Sequence, residues 1–525
     1  MKALPYLLIS VSSSQSSIVI SFVTRMDMSC AKHRVFGKPK KMMASDSQFR
    51  KCAKSQQFLE DLPSEILVHI LSFMTLKEAG RTSVLSKNWV GLWRFVVQLD
   101  FEPSKDSEYI VGTPLFNEMR GQYVEWVNKV LQSHKGFRID KFRICFELNR
   151  FFQDDIDKWV HYAFSRRVER LELNLLDKGC PMYATQEHYH YNFPTRLLLD
   201  DNSNGSDESS IHHFAGFHQY YNLRSLRLGS VNVTGEDIHL FLNKSPFLEH
   251  LTVQGSCSKD MLSVVVLGPS LALKHLEITY CQYLQSIIVR DAPHLISINF
   301  TRVSNLVLEN VPRLVDVCVS EWLFREIIPK LKTSCLSRVE VLSLSLAHDD
   351  LVDIEGKTRV LDVPQLTAVK QLIVYVNPWR DNDFIHLSSY LINLSPNLEK
   401  FVLKIFWNVD LLVNNKGLPS NKQFPRGIEE IVSGDRRRCR PLVSKHLKVF
   451  EFRGYLGRKT NDKLVRYFLK NATALERIIV DPRDQLVFDA LYESSRYPGT
   501  EKFARNAAET KLRRLMPSSV EFLIP

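Results

Sequence analysis

A short phrase, Leu-x-x-Leu-x-Leu, recurs along this chain and limits what the chain can fold into. It reads Leu223-Arg-Ser-Leu226-Arg-Leu228, Leu248-Glu-His-Leu251-Thr-Val253 and Leu273-Lys-His-Leu276-Glu-Ile278, each copy 25 residues after the last. An earlier copy begins at Val168. Looser ones begin at Leu284, Leu295, Val303 and Leu314, where the spacing falls to eleven or less, and then at Val339, Val369, Leu398, Leu447 and Leu475. The alternation inside the phrase is that of a strand with one buried face. One such strand cannot bury its leucines alone, whereas a stack of neighbours can, leaving the alternate side chains on an open sheet. Ser245-Pro-Phe247 and Leu394-Ser-Pro396 supply polar turns ahead of two copies.

Between the phrases the period changes. Phe116 to Ser133 and Ile156 to Phe164 carry helical spacing, while Phe137 to Phe146 alternates as a strand. The insert from Cys180 to His218 is rich in His, Tyr, Asp, Asn and Ser and too poor in apolar residues to form a core, so it is expected to be a long surface loop. Toward the end, His446 to Tyr455 reads as a strand, Asp462 to Asn471 as an amphipathic helix and Ala474 to Pro482 as a second strand.

A different pattern occupies Phe58 to Phe101. Pro63 stands where its fixed φ suits a first helical turn. Ile66, Leu67, Ile70, Leu71 and Met74 follow at the spacing of one apolar stripe. Thr75 and Glu78 form a capping-box pattern that predicts a second helix over Leu76 to Leu85. Ser86 offers a third cap before Lys87 to Trp93, placing Trp89 and Trp93 on one helical face. Three helices this short are marginal alone and gain from packing on a partner.

The residues Leu62-Pro63, Ile66-Leu67, Ile70-Leu71, Leu76, Val84-Leu85-Ser86, Trp89 and Leu92-Trp93 resemble the F-box. Val90 departs from it, since the family often has a basic residue there. The repeated phrase matches leucine-rich repeats, with a poorly kept asparagine position. The run Leu447-Lys-Val, the run Asn471-Ala-Thr-Ala-Leu-Glu and the tail Ala504 to Pro525 resemble the FBD domain. Together they resemble the plant F-box/FBD/leucine-rich-repeat proteins. The resemblance implies an α/β chain: a helical F-box, an irregular leucine-rich-repeat solenoid and an α/β FBD-like cap. The expected boundaries are a disordered segment at 1–54, the F-box at 55–101, repeats at 102–440 and the FBD-like domain and tail at 441–525. It also implies a non-catalytic subunit of an SCF-type ubiquitin ligase in the cytoplasm, the nucleus or both. Leu62, Pro63, Ile66, Leu67, Ile70, Leu85 and Trp89 would contact a Skp-family adaptor, and through it a cullin, while the repeats would capture a protein target. The alternative is a repeat receptor or scaffold without ligase function, using Arg224, Arg227, Lys274 and Arg302 around a small molecule.

Composition narrows the other classes. The net charge is +11, but 69 basic residues are set against 58 acidic ones, and only 32–41 and 436–440 are basic clusters. Neither is interleaved with aromatic residues, so nucleic-acid binding is not expected, although the second offers a short nuclear-signal pattern. Nine cysteines are scattered with no Cys-x-x-Cys pair, which suits neither a disulfide framework nor a zinc site. Cys145 and Cys318 lie in apolar alternations and read as core. No apolar run reaches the length of a membrane span. The start resembles a signal peptide only up to Val11, and the methionines at 26, 28, 42 and 43 leave open an extension from an upstream start before Met43. Gly-x-Ser-x-Gly, phosphate-loop, His-Glu-x-x-His and Rossmann patterns are absent, so no catalytic residue, cofactor or metal is expected. The acid pairs Asp154-Asp155, Asp200-Asp201 and Asp349-Asp350 lie in polar stretches and read as solvated.

Overall fold

The computed structural model describes residues 6–11, 18–23, 62–102, 114–175, 190–195, 220–301, 303–320, 337–347, 365–377, 384–406, 444–483 and 498–525. Most of the insert at 180–218, the basic clusters at 32–41 and 436–440, Arg302, and the acid pairs at 200–201 and 349–350 lie outside the described residues. The chain divides into two compact units: Met1–Asp100 with Lys129–Ile139, and Phe101–Asn128 with Asp140–Pro525.

In the first unit, β1 (Tyr6–Val11) and β2 (Ile18–Val23) pair antiparallel; they are the described part of the stretch 1–54. Helix α1 (Ser64–Leu71) starts after Pro63, whose carbonyl accepts from the Ile66 and Leu67 amides. Helix α2 (Leu76–Arg81) begins at the predicted capping box, with the Glu78 amide donating to Thr75 Oγ1 at 3.3 Å and the Thr75 amide to Glu78 Oε2 at 3.1 Å. It stops at Arg81 rather than Leu85 and tightens into a 3-10 turn, Thr82–Val84. The expected third helix is absent. Val90 is extended and Gly91 is left-handed at φ 74°, so two separate 3-10 turns, Lys87–Trp89 and Leu92–Phe95, replace it. Trp89 is therefore buried while Trp93 is half-buried, and the shared face predicted for them does not form. Strand β3 (Gln98–Phe101) follows.

The second unit is built on one parallel sheet. In order across it run β4 (Lys141–Cys145), β5 (Arg170–Asn174), β7 (Ser225–Gly229), β9 (His250–Gln254), β11 (His275–Thr279), β13 (Ser297–Thr301), β15 (Asp316–Ser320), β16 (Val341–Ala347), β17 (Gln371–Asn377), β18 (Lys400–Ile405), β19 (Val449–Arg453), β20 (Arg477–Asp481) and β21 (Glu521–Leu523). Two short strands, β6 (Tyr191–Asn192) and β8 (Val231–Asn232), pair with each other. Parallel neighbours need a crossover. Here α4 (Gln153–Ser165), α5 (Gly235–Lys244), α6 (Phe384–Leu394), α7 (Lys459–Asn471) and α8 (Pro498–Ala507) supply several of them. Helix α3 (Pro114–Ser133) precedes β4 and opens on proline, as a helical first turn allows.

From β9 to β15 the crossovers are strands. β10 (Ser263–Leu267), β12 (Ser286–Arg290) and β14 (Asn305–Glu309) form a second parallel sheet. This explains the spacing of eleven or less. Leu284 and Val303 lead into strands of the second sheet, and Leu295 and Leu314 into strands of the first, so consecutive phrases serve opposite sides of one coil. Most phrases open on the same turn: the first residue's amide bonds the carbonyl three residues back, as in Leu248 to Ser245, Leu295 to Ala292 and Leu398 to Ser395. Many strands end at a left-handed residue, as at Ser230, Gly255 and Tyr280 in the main sheet and Gly268, Asp291 and Asn310 in the second.

The phrase leucines point inward and are almost fully buried. Cys145 and Cys318 do not join them. They are half-exposed on the outward face, because Ile144 and Val317 with Val319 take the inward positions beside them. At the C-terminal end Phe468 of α7 stacks on Phe450 at 3.8 Å between ring centres, and lies 5.8 Å from Phe401. Strands β19 to β21 extend the repeat sheet, so the FBD-like stretch is physically its continuation. Along the edge just before the strands runs a charge ladder. Glu249 pairs with Arg224 (3.2 Å) and Lys274 (2.8 Å), Glu340 with Lys370 (2.9 Å), and Glu399 with Lys448 (3.4 Å).

Gly454 closes β19 at φ 82°, and a Cβ there would stand 2.3 Å from the Ile405 carbonyl oxygen. Gly454→Ala is expected to cost about 2 kcal/mol or more in urea unfolding. Gly121→Ala, in α3 with nothing within 4 Å, is expected to stabilise by about 1 kcal/mol.

Candidate adaptor face and repeat surface

The five apolar positions of α1 and its exit do not form one stripe. Leu67 and Leu71 are buried and Met74 is half-buried, so this line packs into the unit. Pro63, Ile66, Ile70 and Phe73 stand three and four apart on a second line. Pro63 is exposed, Ile66 is 46% exposed, Ile70 is half-buried and Phe73 is 69% exposed. Phe73 is held edge-on by His69, with ring centres 5.0 Å apart. Val84, 70% exposed, and Val90 add apolar surface on the turns that follow.

The sequence-predicted contact residues therefore divide. Pro63, Ile66 and Ile70 lie on the outward line, and Leu62 and Leu85 are half-buried. Leu67 and Trp89 are buried, where they position the outward residues. Phe73, Val84 and Val90 are exposed apolar residues that sequence reading did not single out as contacts. For Phe73 the signal was its spacing from Ile66 and Ile70. Side-chain contacts to backbone carbonyls support the unit: the Ser72 hydroxyl donates to Val68 O at 3.0 Å, and the His134 ring nitrogen Nε2 lies 2.9 Å from Val96 O.

On the repeat sheet, register places His250, His275, Ser297 and Asp316 in one outward row on adjacent strands. The two imidazoles stack at 4.5 Å with planes 19° apart, and His275 Nδ1 lies 2.7 Å from Ser297 Oγ. Burial holds the Asp316 carboxyl above its ordinary range, opposed by His275. These residue types suggest a hydrolytic triad, but the order excludes one. Serine stands between the histidine and the acid, so the acid cannot orient the imidazole that would activate the serine. The described members of the basic set, Arg224, Arg227 and Lys274, do not converge either. Arg224 and Lys274 both pair with Glu249 on the sheet edge, and only Arg227 stands on the outward face. Among the described residues no three His, Cys, Asp or Glu gather as a metal site, and no helix is long and apolar enough to cross a membrane.

Two measurements follow from this geometry. Leu67→Ala is expected to destabilise the first unit by about 2–5 kcal/mol, and Phe73→Ser by less than about 0.5 kcal/mol, read by amide exchange over 64–95 in urea. His250 is held below its ordinary value of 6.5, first by burial and then by charge on the stacked His275. The unfolded chain then protonates at higher pH than the folded one. The contribution of this group is full above about pH 6.5 and declines as pH falls through the folded value. His275→Gln is expected to raise the His250 midpoint in an NMR titration.

Two family models match the chain. The F-box domain model matches residues 59–96. The model described as At1g61320/AtMIF1, LRR domain matches residues 130–506. The putative F-box/LRR-repeat protein At5g54820 of Arabidopsis thaliana is 26% identical over 455 residues, 81% of this chain and 90% of the relative. The F-box/FBD/LRR-repeat protein At4g00160 of the same plant is 25% identical over 460 residues, 80% and 85% of the two chains. The F-box/LRR-repeat protein At5g38396, also of that plant, is 32% identical over 216 residues, 41% and 46%. The chain belongs to the F-box/leucine-rich-repeat family, with its F-box on the α1 and α2 segment and its repeats on the parallel sheet.

Proposed function

We propose that this chain is the target-recognition subunit of an SCF-type ubiquitin ligase, acting in the cytoplasm, the nucleus or both. The observation that carries the reading is the outward line Pro63, Ile66, Ile70 and Phe73, an apolar helix face left without cover in a segment that matches the F-box. Such a face suits a helix-in-groove contact with a Skp-family adaptor. Covering one large apolar side chain is worth about 1.5–3 kcal/mol, so two or three such residues supply a useful share of a stable contact. The repeat sheet would hold a protein target near the ubiquitin-charged enzyme, which the adaptor brings through the cullin. This chain then contributes proximity and choice of target, and ubiquitin transfer is done elsewhere in the complex.

The test is a pull-down of the full chain with a purified Skp-family adaptor. The wild type is expected to bind, the Leu62→Ala, Pro63→Ala double variant to bind more weakly, and Ile66→Asp with Phe73→Asp to lose at least tenfold in affinity with unchanged unfolding. Absence of binding by the folded wild type would remove the ligase reading and leave a repeat scaffold.

A further inference from the structure

The outward face of β5, β7, β9 and β11 carries cations that the fold does not use. Arg170 on β5 and Arg227 on β7 are both exposed. Neither side chain has a hydrogen bond or ion pair among the described residues. The acids around them are already engaged. Glu172, aligned with Arg227, is bridged by Arg143 at 3.3 Å. Glu277 accepts from Asn299 at 3.1 Å and from Thr252 at 3.4 Å. Glu249, on the edge, is shared by two cations. The row that register aligns with Arg170 runs through Ser225, His250 and His275, none of them an acid, and meets Asp316 only beyond Ser297.

Spacing says what such a face would recognise. Arg170 is aligned with Ser225, two residues before Arg227, so the two arginines are diagonal neighbours, about 7–8 Å apart at their backbones. An extended peptide repeats side chains on one face every 6.4–6.8 Å or so. Two acids separated by one residue would therefore present a carboxylate to each guanidinium. Guanidinium is the group best shaped for that contact, through paired N–H donors. The serine hydroxyl and the stacked imidazoles beside it offer further donors along about 14 Å of sheet, three strand spacings.

We propose that this face docks an extended acidic segment of the target protein, with Asp or Glu at alternating positions set against Arg170 and Arg227. The inference rests on the repeats being the target-recognition surface. Its failure is separable from failure of the ligase reading, because adaptor binding is measured on the same variants.

The probe is a fluorescein-labelled decapeptide of alternating glutamate and serine, read by polarisation against the full chain, with an alternating lysine and serine peptide as control. The wild type is expected to bind the glutamate peptide, more weakly as salt rises, and not the lysine peptide. Arg170→Ala with Arg227→Ala is expected to lose at least tenfold, with unchanged thermal unfolding and unchanged adaptor pull-down. Lys370→Ala with Lys448→Ala, two cations of the edge ladder, is expected to bind as the wild type does. Equal binding by the double arginine variant, equal binding of both peptides, or no binding by the wild type would overturn the proposal. So would binding that appears only after Asp200→Asn and Asp201→Asn, since the occupant would then be the chain's own acidic insert.

Discussion

A five-residue strand with two inward leucines buries almost nothing by itself, and the second unit depends on that insufficiency. Each phrase is completed only by the strands on either side, so the core is a continuous column rather than a set of separate cores. Everything outward of that column is positioned by it. Register carries Arg170, His250 and His275 onto one line, and the turn before most of the first leucines sets the edge residues at a constant offset. Near its C-terminal end the column is filled by the stacked rings of Phe401, Phe450 and Phe468, with β20 and β21 beyond them. The short last strand β21 leaves little open edge.

The first unit answers the same problem differently. Its helices are too short to enclose a large core, so α1 is apolar on two lines. One line is used at home through Leu67 and Leu71, and the other is left facing out. Phe73 and Val84 are exposed apolar side chains of the kind that a binding partner covers. The chain thus joins an F-box segment to a leucine-rich-repeat sheet.

Much of this was legible in the residues, for stated reasons. The Leu-x-x-Leu-x-Leu phrase reports a strand because inward positions alternate, and the Thr75 and Glu78 pair reports a helix start because both side chains have amides to satisfy. The second sheet was harder to see. A spacing of eleven looks like a broken repeat unless alternate phrases are assigned to opposite sides of the coil. The third F-box helix failed on one backbone angle, since glycine at position 91 gives no hint in its neighbours that it will turn left-handed. Periodicity also merged the two lines of α1, because adjacent positions such as Ile66 and Leu67 differ by only about 100° around the axis. Cys145 and Cys318 were misread by one position in an alternation, which is enough to change face. Pairs such as His275 with Ser297 are set by register between strands 22 residues apart, and no local pattern announces them.

The charge ladder on the sheet edge has a consequence for how such a protein can grow. Across β7, β9 and β11 the sign alternates, from Arg224 to Glu249 to Lys274. Losing the coil that carries Glu249 would set two cations side by side, and copying it alone would set two acids together. Each like-charge contact costs only tenths of a kcal/mol at an exposed edge. Duplication or loss of two coils at once would leave the alternation intact.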